Sequence, residues 1–191
     1  FKMLVALAAL EAGVIKPDTH IYCTGQMALG NHIFHDWKRG GHGNLNVVEA
    51  LAHSCDIFFY EVAMKLGIEK IADMARRFGL GSRINVGLEN EKAGLIPDKE
   101  WKLKRFGEPW QQGESVISGI GQGYILTTPL QLATMVARIA NGGYDVKPTF
   151  TKVTDKSAIR KINVSDENLK LVKDGMFAVV NVPGSTAYRS H

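Results

Sequence analysis

Lys2, Ser54 and Asp56 are the polar side chains of this sequence best suited to proton transfer. Lys2 stands in an apolar helical run, Phe1 to Ala12, where a lysine is normally avoided. It is either a solvated residue at a helix end or a desolvated base for a neighbouring nucleophile. Ser54 and Asp56 lie between two helical runs, where such residues are more often helix caps.

Ser54 and Asp56 can face one cleft only if the chain is not helical between them. In a continuous helix their side chains would point about 200° apart. A break would let both face the helix that carries Lys2, while Cys55 points the other way. If these residues act together, we therefore expect a break in the chain here.

Cys23, Asp36, His42 and Cys55 could hold a structural zinc ion. Two thiolates, one imidazole and one carboxylate form a suitable tetrahedral set, and four protein ligands leave no open position for catalysis. The spacing is not that of a zinc finger, so a disulfide between the cysteines, or two unrelated buried thiols, stays open. Residues 14–45 favour the metal, because this long stretch has too little apolar periodicity to hold itself in place.

A glycine-rich stretch, Gly119 to Tyr124, precedes Thr-Pro-Leu-Gln at residues 128–131. Such a loop before a helix can cradle phosphate, but no lysine follows at the position that a nucleotide-binding loop requires. Thr128 suits an N-cap, Pro129 suits the first helical position, and Gln131 can reach back to the cap. We therefore expect a helix here and no nucleotide site.

Helices are predicted to dominate the elements that position these residues. Apolar periodicity, N-caps and closing glycines mark six of them. The predicted helices are 1–12, a run from 47 that is capped by Asn46 with Glu49, 57–66, 68–78, 129–140 and 166–180 after Ser165; residues 14–45 and 80–124 are predicted loops, and 144–153 has strand-like composition.

The chain length of 191 residues suits one globular domain or a large piece of one. The 23 lysines and arginines exceed the 19 acidic residues only slightly and are spread along the chain, which does not argue for nucleic acid. The apolar stretch Met3 to Leu10 is too short to cross a bilayer. Because the chain starts inside a helical run and stops after turn-rich residues, we expect a piece of a longer protein.

These motifs, in this order, resemble the transpeptidase domain of class B penicillin-binding proteins over nearly the whole chain. Phe1-Lys2-Met3 resembles the tail of the Ser-x-x-Lys motif, so the nucleophilic serine is expected two residues before Phe1. Ser54-Cys55-Asp56 resembles the second motif in its Ser-x-Asp form. Residues 177–187 resemble the segment before the third motif, Lys-Ser/Thr-Gly, which is expected beyond His191.

Residues 36–43, 100–105 and 119–131 are similar to the elongation-type members of rod-shaped Gram-negative bacteria. The resemblance implies the α/β fold of serine β-lactamases and penicillin-binding proteins, in which a helical lobe packs on an antiparallel sheet. This chain would supply mostly the helical lobe. We interpret the glycine-rich stretch as structural support under the active-site floor.

The implied activity is peptidoglycan D,D-transpeptidation through an acyl-serine, on the periplasmic side of the inner membrane, beside a glycosyltransferase and open to inhibition by β-lactams. Lys2 would be the general base, Ser54 would pass a proton to the leaving D-alanine, and Asp56 would orient the peptide or Ser54. Residues 1–191 as they stand are expected to form no penicillin adduct. A β-lactamase or carboxypeptidase, a non-catalytic binding domain and a zinc hydrolase are the alternatives, although the last lacks a His-Glu-x-x-His helix.

The resemblance also bears on the cysteines, because elongation transpeptidases include members with a zinc site in this region. Asp36, His42 and Cys55 match the spacing of that site, and Cys23 takes the place of an acidic residue. Three other histidines fit the resemblance less well: His32, His35 and His53. The family likeness therefore favours zinc over a disulfide.

Overall fold

The computed structural model describes residues 1–151 and 159–190. That part of the chain is mostly helical and carries two small antiparallel sheets. None of its helices is long and apolar enough to span a membrane. In chain order the elements are α1 (Lys2–Glu11), β1 (Ile21–Cys23), β2 (Gln26–Leu29), β3 (His32–His35), β4 (Gly43–Leu45), α2 (Val47–Ala52), α3 (Asp56–Leu66), α4 (Ile68–Arg77), α5 (Lys99–Phe106), α6 (Gln112–Ser118), α7 (Pro129–Ala140), α8 (Asp166–Asn181) and a 3₁₀ turn (Tyr188–Ser190).

Helix α1 runs through the middle of the core. Alanine and leucine, both strong helix formers, fill its sequence, and residues 4–10 are all buried. It packs against α2, α3, α4 and α8. A helix enclosed on all sides is apolar all round, and this packing fixes Lys2 at its first turn.

The capped helices were predicted correctly to within one or two residues. Asn46 and Glu49 form a reciprocal capping box at the start of α2. Thr128 and Gln131 do the same for α7, with Pro129 in the first turn. Ser165 caps α8 by accepting a hydrogen bond from the amide of Asn168.

The prediction that residues 14–45 form an irregular connection is wrong. Two antiparallel strand pairs lie within it, β1 with β4 and β2 with β3, so that one hairpin sits inside the other. Each strand is only three or four residues long. Strands of this length do not produce a period that can be recognised in the sequence.

The prediction of a loop over residues 80–124 is also wrong, because it contains α5 and α6. In α5 the apolar Leu103 and Phe106 are exposed while Lys102 is buried, so the helix has no normal apolar face. Lys102 is paired with Glu114 on α6 at 2.5 Å. The signal that sequence reasoning missed is Asp98, whose carboxylate caps α5 by accepting from the amide of Trp101 at 2.8 Å.

The strand-like prediction for residues 144–153 is wrong for residues 144–151, which contain no strand. Tyr144 makes an isolated antiparallel bridge with Lys161. The last two residues of that prediction, 152 and 153, lie outside the described residues.

Candidate active site and metal cluster

The break predicted between Ser54 and Asp56 is present. Helix α2 ends at Ala52, α3 begins at Asp56, and Ser54 adopts a left-handed backbone with φ of 53°. The cap of α3 is Cys55, whose Sγ accepts from the amide of Phe58 at 3.4 Å. Ser54 therefore does not cap α3, and its hydroxyl contacts Lys2 on α1.

The structure brings Lys2, Ser54 and Asp56 together. The Nζ of Lys2 donates to Asp56 Oδ1 at 2.7 Å, to the backbone oxygen of Ser54 at 2.7 Å and to Ser54 Oγ at 3.0 Å. The side chains of Lys2 and Asp56 are each only 16% exposed, so Lys2 is not a solvated residue at a frayed helix end. Three acceptors match the three protons of an ammonium group.

The carboxylate of Asp56 is held from two sides. Its Oδ1 accepts from Lys2, and its Oδ2 accepts from the backbone amide of Trp37 at 3.3 Å. The indole of Trp37 donates to the backbone oxygen of His53 at 3.1 Å, which holds this segment against the end of α2. The carboxylate thus contacts Lys2 directly, and the lysine amine connects it to the Ser54 hydroxyl.

A cavity of about 400 Å³ opens to solvent beside these three residues. Apolar side chains of Leu51, Ile120 and Met176 form part of its wall. Gln122 and Thr186 are among its polar lining residues. Such a cleft, apolar with a few convergent polar groups, is typical of a site for a small substrate or a peptide end.

The glycine-rich stretch forms a wall of this cavity, through Ile120 and Gln122. It lies so close to α1 that a Cβ at Gly121 would come within 2.6 Å of the Cβ of Phe1. The interpretation as a support under the site is therefore incomplete, because the stretch itself contributes lining side chains.

The segment 182–187, after α8, is fastened to α2 next to the cavity. The backbone amide and the hydroxyl of Thr186 both donate to the backbone oxygen of Ala52, at 3.1 and 3.2 Å. These two hydrogen bonds hold Thr186 in the lining of the cavity.

The nested hairpins assemble the second candidate site. The pairing of β1 with β4 sets Cys23 opposite Gly43, and the amide of His42 donates to the Cys23 oxygen at 3.2 Å. The inner hairpin brings Asp36 back to Gly25, whose oxygen accepts from the Asp36 amide at 2.9 Å. Residues far apart in sequence therefore meet at one end of the hairpins.

Cys55 completes this group from the start of α3. One ligand atom from each of Cys23, Asp36, His42 and Cys55 lies within 4.8 Å of all the others. All four side chains are buried or nearly so. Both cysteines are free thiols here, and His32, His35 and His53 are not members of the group.

The donor set fits a zinc ion. Burial raises the pKa of the Cys55 thiol and lowers the pKa of His42, so it disfavours the charged form of each. Burial would also raise the pKa of Asp36, but hydrogen bonds from the amides of Lys38 and Ile57 outweigh it and keep that pKa low. Zinc prefers this mixture of thiolate, imidazole and carboxylate, and binding would deprotonate the thiols. His42 presents Nδ1 to the group, 3.6 Å from Cys23 Sγ.

Asp36 also connects the two sites, which the sequence did not indicate. Its Oδ2 accepts from the amides of Asp56 at 2.7 Å and Ile57 at 3.2 Å, at the first turn of α3. The backbone amide of the next residue, Trp37, donates to the Asp56 carboxylate. Residues 36 and 37 therefore link the candidate metal cluster directly to the carboxylate beside Lys2. Backbone donors carry most of this link, and the sequence does not reveal their positions.

Comparison with known proteins agrees with the order of these motifs. All 191 residues match the penicillin binding protein transpeptidase domain. The peptidoglycan D,D-transpeptidase MrdA of Escherichia coli K12 is 36% identical over 200 residues, covering 98% of this chain and 32% of that protein. The chain thus spans about a third of the length of this curated relative.

Solved structures of penicillin-binding protein 2 have the same fold. The Pseudomonas aeruginosa protein, in complex with WCK 5153, gives a TM-score of 0.89 at 36% identity, covering 98% of this chain and 45% of that one. The Helicobacter pylori protein, in complex with MreC, gives 0.92 at 38% identity, covering 99% of this chain and 36% of that one. With this agreement over its whole length, the chain belongs to the penicillin-binding protein transpeptidase domain family.

Proposed function

We propose that the complete protein is a peptidoglycan D,D-transpeptidase of the elongation type, acting through an acyl-serine and inhibited by β-lactams. The observation that carries this proposal is the contact of Lys2 with both Ser54 and Asp56 at the edge of an open cavity. The names of the relatives, D,D-transpeptidase and penicillin-binding protein 2, support it. In this proposal the nucleophile is a serine two residues before Phe1, one helical turn from Lys2 and on the same face.

The serine oxygen attacks the carbonyl carbon between two terminal D-alanines, and the serine proton moves to Lys2. Asp56 Oδ1 lies 2.7 Å from Lys2 Nζ and holds the lysine amine beside Ser54. The carbon–nitrogen bond then breaks, and Ser54 delivers the proton from Lys2 to the departing D-alanine. An amine from a second stem peptide then attacks the acyl-serine carbonyl and gives up a proton to Lys2. The ester bond breaks, and Lys2 returns that proton to the serine oxygen.

The direct test is a reaction of the complete protein with glycan strands that carry pentapeptide stems. We expect release of D-alanine and formation of a cross-linked product in equal amounts. Release of D-alanine with water as the only acceptor would indicate a carboxypeptidase. Rapid turnover of penicillin would indicate a β-lactamase, and no reaction with either would indicate a binding domain of the same fold.

We also propose that Cys23, Asp36, His42 and Cys55 hold a structural zinc ion. The convergence of their ligand atoms within 4.8 Å supports this assignment. The ion would balance the charge of two buried thiolates and join the hairpins to α3. Four protein ligands leave it no open position, so it would support the site and not react with substrate.

For the complete protein we propose a location on the periplasmic side of the bacterial inner membrane, where its peptidoglycan substrate is found. A membrane glycosyltransferase that makes the glycan strands would be its partner. A contact with MreC is supported by the Helicobacter pylori complex. Co-purification of the complete protein with either partner from detergent-solubilised membranes tests this placement.

A further inference from the structure

Gln122 is the polar residue of the glycine-rich stretch that lines the cavity beside Lys2, Ser54 and Asp56. We propose that its side-chain carboxamide hydrogen-bonds the backbone of the stem peptide and helps to select a peptide substrate. This inference rests on the proposed function, because it names a substrate contact at the same site.

The backbone around Gln122 is held in place by the end of α6. The amide of Gln122 donates to the backbone oxygen of Ile117 at 3.1 Å, and that of Gly121 donates to the oxygen of Ser118 at 3.0 Å. Gly121 and Gly123, on either side, have φ of 81° and 75°, a region that other residues rarely adopt. The chain thus makes a fixed turn with Gln122 at its tip.

Close packing leaves this turn little freedom to move away from the site. A Cβ at Gly121 would lie 2.6 Å from the Phe1 Cβ, and one at Gly123 would lie 3.0 Å from Ile117 Cδ1. Phe1 precedes Lys2 directly. The position of Gln122 is therefore tied to the helix that carries the candidate base.

A second glutamine shows what a structural role looks like in this chain. Gln131 is fully buried, donates to the backbone oxygens of Ser82 and Ala93, and accepts from the amide of Thr128. The side chain of Gln122, in contrast, is exposed and makes no hydrogen bond to residues 1–151 or 159–190. The carboxamide of Gln122 is thus available to a ligand.

The chemistry of a carboxamide suits a peptide. It offers two donor protons and an acceptor oxygen without charge, and an extended peptide backbone presents both N–H and C=O groups. Other residues of the lining complement it: Lys2 and Asp56 supply the charged groups, while Leu51 and Met176 offer apolar surface for alanine methyl groups. A neutral donor and acceptor among these groups would orient the peptide without repelling its terminal carboxylate.

The test uses the complete protein with Gln122→Met, which keeps the length of the side chain but removes both hydrogen-bonding groups. Gln112→Met is the matched control, because Gln112 is an exposed glutamine of α6 that does not line the cavity. D-Alanine release is measured against pentapeptide concentration, and melting temperatures are recorded. Since one net hydrogen bond is lost, we expect KM to rise about five- to tenfold for Gln122→Met, with kcat and melting temperature nearly unchanged.

Gln122→Glu is a second variant, whose charge should raise KM further by repelling the substrate carboxylate. An unchanged KM in Gln122→Met, or an equal rise in Gln112→Met, would overturn the inference. A fall in kcat at constant KM would also overturn it, because the residue would then act through the loop. If the wild-type protein releases no D-alanine, the proposed function fails as well; if it does and the variants match it, only the role of Gln122 fails.

Discussion

The Nζ of Lys2 donates hydrogen bonds to three oxygen atoms of one short segment, which runs from the turn after α2 to the first residue of α3. The carboxylate of Asp56 thus positions the lysine amine beside the Ser54 hydroxyl. In the proposed function these three residues act together in proton transfer.

Lys2→Ala in the complete protein removes the base and leaves Ser54 and Asp56 in place. General base catalysis typically contributes about 10²- to 10⁴-fold, so we expect acylation by penicillin to slow by that factor. Stopped-flow measurement with a fluorescent penicillin gives the rate. Acylation at a nearly wild-type rate would show that another group accepts the serine proton.

Ser54→Ala removes the hydroxyl 3.0 Å from Lys2 Nζ but leaves the backbone oxygen that also holds the lysine. Lys2 should keep its place while proton delivery to the leaving group fails, again with a loss of about 10²- to 10⁴-fold. The same stopped-flow assay measures it. Ser115→Ala is the control, because the Ser115 hydroxyl accepts a hydrogen bond from the Trp110 indole instead of contacting Lys2. Equal acylation rates for Ser54→Ala and wild type would exclude the relay.

The sequence was sufficient to predict that these three residues can meet and that the chain breaks between Ser54 and Asp56. Their roles in catalysis stay a prediction. Their types and spacing resemble family motifs, and helix geometry demands the break. The contact of Trp37 with Asp56 could not be predicted, because it uses a backbone amide that any residue would supply. Only the fold of the hairpins brings that amide to the carboxylate.

Among the elements, those with a cap or an apolar stripe were predicted well. Helices α2, α4, α7 and α8 each have at least one of these signals. The missed helix α5 buries a lysine and exposes apolar side chains, so its pattern opposes the usual rule. Tertiary pairing of Lys102 with Glu114 explains the reversal.

Gly121→Ala tests the close contact between the glycine-rich turn and α1. The new methyl group would meet Phe1 at 2.6 Å, in a left-handed backbone with φ of 81°. We expect a loss of about 2–4 kcal/mol in the free energy of unfolding, from backbone strain together with overpacking. Urea denaturation measures it.

Gly107→Ala is the matched control for that variant. Gly107 ends α5 with φ of 70°, but nothing lies within 4 Å of its added Cβ. It should lose only about 1 kcal/mol, the cost of the left-handed backbone. Equal losses for the two variants would mean that the turn is not pressed against Phe1.

Asp98→Ala should destabilise α5 and its contact with α4 by about 1–2 kcal/mol at neutral pH. Burial alone would raise the pKa of Asp98, but the amide of Trp101 and the guanidinium of Arg76 outweigh it and lower that pKa. A lowered pKa stabilises the fold above the ordinary value of about 4, and this contribution is lost as pH falls through the folded value. The difference between wild type and Asp98→Ala should therefore shrink below about pH 4 in thermal melts; a constant difference would contradict the assignment.

At the scale of the whole molecule, the nested hairpins join the candidate metal cluster to the candidate active site. Asp36 contributes to both, through its place in the cluster and its hydrogen bonds to the start of α3. Disturbing the cluster should therefore disturb Asp56 as well. Spacing alone could not decide between metal and disulfide, because the meeting of the four residues depends on strand pairing across the hairpins.

Zinc content tests that connection. Protein purified without added metal should contain about one zinc per chain, and a strong chelator should lower its melting temperature and its rate of acylation. Cys23→Asp, which keeps a ligand, should retain the metal, whereas Cys23→Ala should bind it more weakly. Metal-free protein with Cys23 and Cys55 joined as a disulfide would show that the assignment is wrong.

The central claim is that Lys2, Ser54 and Asp56 serve a serine nucleophile that stands two residues before Phe1. Mass spectrometry of the complete protein after reaction with penicillin tests it most directly, with proteolysis to locate the modified residue. We predict one added drug molecule per chain, attached to that serine and absent from residues 1–191. Attachment to a residue within 1–191, such as Ser54, or no attachment to the complete protein, would contradict the claim.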